Sequence, residues 1–96
     1  MTIYISGKIT GCENYKQKFG EAKQKLQNQY PGAKIINPSK IKLPDVCDWE
    51  DYMHICLHLL KKADTIYMLD NWLDSPGACI EYACALKLGK AIIFGD

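Results

Sequence analysis

Short runs of apolar, β-branched residues along this chain alternate with longer stretches in which apolar residues return every three or four positions. Residues 2–6, TIYIS, form the first run and end at Gly7, which predicts a strand followed by a turn. Tyr15, Phe19, Ala22, Leu26 and Tyr30 then define one face of an amphipathic helix. Lys16, Lys18, Glu21, Lys23 and Lys25 lie mostly off that face, and Pro31-Gly32 stops the helix. Residues 33–37, AKIIN, predict a second strand that Pro38 breaks. After a loop holding Pro38 and Pro44, Asp48 fits the N-cap of a helix that runs to Lys62. Glu50 and Asp51 in its first turn and Lys61 and Lys62 in its last suit the helix dipole. Residues 64–69, DTIYML, read as a third strand. Ser75-Pro76 reads as cap and first residue of a third helix reaching Leu88, with Gly89 closing it, and residues 91–94, AIIF, as the last strand.

The order is therefore β-α-β-α-β-α-β. Short strands that are apolar on both faces fit a parallel sheet covered by helices. The expectation is one α/β domain over residues 1–96, a flavodoxin-like three-layer sandwich with strand order 2-1-3-4.

Composition narrows the function classes. At 96 residues, 48% hydrophobic and 24% charged, the chain is globular in character. Twelve basic and eleven acidic residues give a net charge of +1, without the basic excess of a protein that binds nucleic-acid polymers or anionic membranes. No apolar run approaches the ~18 residues of a membrane span, and the N-terminus lacks a signal-peptide pattern. A cytoplasmic protein is expected. The five cysteines (12, 47, 56, 79 and 84) are odd in number and contain no CxxC, so they read as small hydrophobes in a reducing compartment. No metal and no other cofactor is expected.

Ligands of open parallel sheets bind beyond the carboxyl ends of the strands. Those ends are Ser6-Gly7, Asn37-Pro38 and Asp70-Asn71-Trp72, and they outline a pocket rim. The stretch from Asp70 to Glu81, DNWLDSPGACIE, is the most informative. Ser75 is either a plain helix cap or, with the free N–H groups behind it, a phosphate site. Gly77 is costly inside a helix and lies one turn before Glu81, where a missing side chain makes room for a ligand. Glu81 is the only charge between Asp74 and Lys87, and its neighbours are apolar on every side. A carboxylate in that setting is either paired or functional. His54 and His58 share a polar stripe with Asp51 and Lys61 and read as a solvated face. Trp49 fits a core anchor or a base-stacking surface, and Trp72, in a rim loop, is the stronger candidate for ligand contact. The third helix is apolar around nearly its whole circumference, which predicts a homodimer or higher homo-oligomer built on it.

These residues form a pattern. MTIYISGKITG, the NP after strand two, W..YM in the second helix, the AD opening strand three and W..SPGA..E..CA.KLGK resemble the nucleoside 2-deoxyribosyltransferase-like proteins, in particular a group of short phage and prophage proteins of that type. The wider superfamily includes 2′-deoxynucleoside 5′-monophosphate N-glycosidases. The resemblance implies that Glu81 is a nucleophile toward C1′ of a (deoxy)nucleotide, forming a glycosyl-enzyme that water or a second base resolves. It places Ser75 at the 5′-phosphate and Gly7, Tyr4 and Ser6 at the strand end beside the small-molecule substrate. Asn37, Trp72 and Gly77 join the expected substrate-binding set from their rim and helix positions alone. The relatives carry an aspartate in helix two where this chain has Cys56. Asp70 and Asp74 are the rim carboxylates available to compensate. The alternative is a catalytically reduced nucleotide-binding module or a partner-binding protein without turnover.

Overall fold

Alternation within the strands sets up the layers. In strand β1 (Thr2–Ser6), Ile3 and Ile5 point to one side of the sheet, whereas Tyr4 and Ser6 point to the other. A computed structural model describes residues 1–95. It places β1 between β2 (Lys34–Ile36) and β3 (Thr65–Met68), with β4 (Ala91–Phe94) outside β3. All pairings are parallel and the order is β2-β1-β3-β4. The predicted order 2-1-3-4 is thus the observed one. β2 and β3 are each two residues shorter than the apolar runs suggest, because Ala33, Asn37, Asp64 and Leu69 fall outside the ladder.

One face packs under helix α1 (Tyr15–Gln29), where Phe19, Ala22 and Leu26 meet Ile3, Ile5, Tyr67 and Leu69. The other face packs under α2 (Trp49–Lys62) and α3 (Pro76–Lys87), where Cys56, Leu60, Ala63, Ala78 and Ala85 meet Tyr4, Ile66 and Met68. Both faces of β1 and β3 are covered, which is why those strands are apolar throughout.

The helix ends are tied as their sequences demand. Asp48 and Asp51 form a reciprocal capping box at the start of α2, with bonds of 3.0 and 2.9 Å. Ser75 Oγ accepts the Ala78 N–H at 3.1 Å at the start of α3, and Pro76 takes the first helical position. At the far end of α3 the Gly89 N–H donates to Leu86 and the Lys90 N–H to Ala85, a Schellman closure that needs the left-handed backbone of Gly89 (φ +69°).

The five cysteines are all free thiols, Cys56 buried and the other four half-buried. The outward face of α3 stays open, with Ile80, Leu86 and the following Leu88 exposed, as is Phe94 on β4. Among the described residues, no helix is long and apolar enough to cross a membrane.

Candidate active site

Beyond the carboxyl end of β1 the sheet opens into a cavity of about 200 Å³. Its walls come from the turn after β1 (Gly7, Ile9, Thr10), the first turns of α2 (Trp49, Tyr52, Met53) and the start of α3 (Ser75, Gly77, Ala78), with Tyr4 and Glu81 inside.

Glu81 lies on the sheet-facing stripe of α3 with Ala78 and Ala85. Alanines on either side let the helix approach the sheet closely, so that a single glutamate reaches the end of β1. There its Oε1 accepts from Ser6 Oγ at 2.7 Å and its Oε2 accepts from the Tyr4 hydroxyl. Tyr4 and Ser6 share a strand face because they are two residues apart. The carboxyl is only 5% exposed. Burial pushes its pKa up to about 7, and the two hydroxyl donors restrain that rise. No cation lines the cavity, and all twelve basic residues of the chain are lysines that lie elsewhere. Near pH 7 this carboxyl is therefore poised between its two protonation states.

The surrounding hydroxyls stay protonated. Burial and then the Glu81 charge raise Tyr4 far above the usual phenol range, so it remains a donor. Burial also raises Tyr52, whose hydroxyl donates to the Pro38 carbonyl at 3.0 Å. Cys56 lies in the buried cluster with Tyr4. Burial pushes its thiol up and Glu81 adds to that, against the hydroxyls of Tyr4 and Tyr52, so the sulfur stays uncharged.

Two glycines make the architecture possible. A side chain on Gly7 would meet Leu69 carbons at 2.5–2.9 Å, so only glycine lets the turn after β1 pass over the end of β3. A Cβ on Gly77 would meet Met53 Sδ at 3.1 Å. The space beside Gly77 thus serves the close approach of α3 to α2, as well as bordering the cavity.

The other residues singled out from sequence lie outside the cavity lining. Asn37 Oδ1 accepts from Ser39 N at 3.1 Å and Oγ at 2.6 Å, capping the 3₁₀ turn Pro38–Lys40. It acts on the site only by holding Pro38 at the edge. Trp72 packs its ring 4.6 Å from Tyr82 and 6.1 Å from Phe94, on the outer side of α3. Asp70 is exposed and pairs with Lys18 at 2.9 Å, and Asp74 is exposed at the end of the 3₁₀ turn Trp72–Asp74. The tryptophan that lines the cavity is Trp49.

The sequence did not single out Ile9, Thr10, Phe19, Tyr52 and Met53 as site residues, yet they line the cavity. Asn71, expected only as part of the rim, fixes one of its walls. Asn71 Oδ1 accepts the Lys8 N–H at 3.1 Å, and its Nδ2 donates to Cys12 Sγ at 3.9 Å, so one side chain ties down the loop after β1. Tyr52 and Met53 carry a signal of their own, since they fall three and four residues after Trp49 on one helix face. Among the described residues no group of three or more His, Cys, Asp or Glu is placed to hold a metal, and His54 and His58 lie exposed on α2.

The parallel α/β fold of this chain has a counterpart among solved structures. The 2-desoxiribosyltransferase from Leishmania mexicana matches it with a TM-score of 0.68 at 16% sequence identity, over 97% of this chain and 62% of that one. At that identity the likeness is one of fold, and the chain spans less than two thirds of the length of its structural relative. The chain belongs to the family described as a domain of unknown function, DUF4406, whose profile matches residues 1–94. No curated protein matches it.

Proposed function

We propose that this protein cleaves the N-glycosidic bond of a (deoxy)nucleoside 5′-monophosphate, with Glu81 as the nucleophile. The observation that carries this reading is a carboxyl, buried on the wall of a cavity, that is held by two hydroxyls and paired with no cation. A structural glutamate gains nothing from such a position, because burying it without a counter-charge costs stability.

The chemistry follows from that geometry. The ionised carboxylate attacks C1′, and the electron pair of the C1′–N bond leaves with the base, which takes a proton from water. Hydrolysis of the glycosyl ester returns the carboxylate, whereas attack by a second base gives transfer. Tyr4 and Ser6 hold the carboxylate in place, and their hydrogen bonds hold its pKa below what burial alone would set. A second reading, a nucleotide-binding module without turnover, rests on one observation: no second carboxyl and no imidazole lines the cavity to protonate the departing base. Incubating the purified protein with a panel of deoxynucleoside 5′-monophosphates and measuring free base by chromatography decides between them. Base release supports the enzyme. Binding without release supports the module.

The 5′-phosphate belongs at the start of α3. Ser75 Oγ accepts from Ala78 N–H, which leaves its own proton free to donate, and the Gly77 N–H is the first one available after Pro76. Ser75→Ala is expected to weaken monophosphate affinity about tenfold while leaving the nucleoside's unchanged, in line with a hydrogen bond to a charged group. The lost cap should cost about 1 kcal/mol of stability. Calorimetric titration with a nucleoside and its monophosphate checks the first effect, and an unchanged preference would count against it.

The open apolar face of α3 and the exposed edge of β4 point to a homodimer. Light scattering at micromolar concentration should give at least twice the 10.9 kDa chain mass, and the chain mass itself would refute the dimer.

A further inference from the structure

The polar groups of the cavity are nearly all committed inward. Tyr4 donates to Glu81, Tyr52 donates to Pro38, and Ser75 accepts from the backbone of α3. Thr10, on the rim, carries a hydroxyl that serves equally as donor or acceptor. No asparagine, glutamine, lysine or histidine lines the cavity, so no side-chain amide, ammonium or imidazole there reads the donor and acceptor pattern of a base edge. The remaining wall is apolar and broad: Trp49, Met53, Pro38, Ile9 and Phe19. Trp49 stands in the first turn of α2, fixed by the Asp48–Asp51 capping box, with its ring edge 3.7 Å from the Cβ position of Gly77. It is nevertheless 48% exposed. A large aromatic at a cavity mouth, with half its surface uncovered, offers a platform for a flat ring.

We propose that the substrate's base is selected by stacking on Trp49 and not by hydrogen bonds to its edge. The site then takes purine nucleotides whatever group they carry at position 6 and holds the smaller pyrimidines less tightly. This rests on the reading of the ligand as a nucleotide. The physical basis is that an apolar pocket discriminates by area and cannot strongly reject a ring differing by one polar substituent, whereas a site built to hydrogen-bond that substituent does.

The test uses the full chain carrying Trp72→Phe, which leaves Trp49 as the one remaining tryptophan of two, together with Glu81→Gln so that no ligand is consumed. Deoxyadenosine, deoxyguanosine and deoxyinosine 5′-monophosphates are expected to quench its emission with dissociation constants within about threefold of one another. Thymidine and deoxycytidine monophosphates should bind more weakly. Adding Trp49→Ala should weaken every ligand by a similar factor, roughly tenfold or more, read by calorimetry, whereas Trp49→Phe should keep most of the affinity. Discrimination above about thirtyfold among the three purines, unchanged affinity in Trp49→Ala, or no binding of any ligand would overturn the proposal. The predicted binding pattern with no base release from the otherwise native protein would remove the glycosidase reading and leave the stacking platform standing.

Discussion

Replacing Glu81 with glutamine is expected to lower base release by about 10³-fold or more, as loss of a nucleophile that no neighbour can replace does in other enzymes. The same variant should separate activity from stability. In the native fold the Glu81 pKa is about 7, raised chiefly by burial from an ordinary 4.5. The folded state thus holds this proton more tightly than the unfolded chain. The stability it confers is fully present below about pH 4.5, falls as pH rises, and is gone above about pH 7. The swing is about 3 kcal/mol. The wild type should therefore lose thermal stability between pH 5 and 8 while Glu81→Gln does not. Base release should move the other way, rising with pH and levelling above about 7, because only the ionised carboxyl attacks. Melting curves and initial rates across that range check both slopes. A wild type and variant with parallel pH–stability profiles would sink the assignment.

Cys56→Asp is expected to raise base release by tenfold or more. The introduced carboxyl would sit behind the cavity lining in the buried cluster with Tyr4 and Tyr52, protonated at neutral pH by its burial, so that its proton reaches the departing base through the Tyr4 hydroxyl. General acid catalysis is typically worth ~10²–10⁴-fold, and part of that is lost here because the new group competes with Glu81 for the Tyr4 hydroxyl. The cost is stability. A polar group replacing a thiol that is 1% exposed should destabilise the domain by about 2–4 kcal/mol, which a domain of this length can tolerate. Rates and melting temperature must be read together. A folded variant with no gain would show that Cys56 does not limit the reaction.

The sheet order was legible because both faces of β1 and β3 carry apolar side chains and the intervening stretches keep a helical period. Glu81 stood out for a related reason, being the single charge in an apolar helix. Tyr4 and Ser6 were legible as residues of a strand end, but their bonds to Glu81 span more than seventy positions and leave no local pattern. Trp72 illustrates the limit. Its place in a rim loop suggested ligand contact, yet the loop turns through a 3₁₀ turn that lays the indole against Tyr82 and Phe94. Asn37 and Asp70 likewise occupy strand ends, where neighbouring groups, Ser39 and Lys18, take up their side chains. Rim position is a property of topology, whereas the direction of a side chain depends on tertiary neighbours that sequence spacing does not report.

The bonds that join Tyr4 and Ser6 to Glu81 also set when the site comes into being. They connect the first strand to the last helix, so on the ribosome the hydroxyls emerge early and wait, unpartnered, until the residue that needs them has been synthesised. Contacts of such high sequence separation form late and slowly. No partial chain ending before α3 has Glu81, and any fraying of α3 from the sheet parts it again from Tyr4 and Ser6. Any activity that depends on this carboxyl would therefore report only molecules in which the first strand and the last helix have already met.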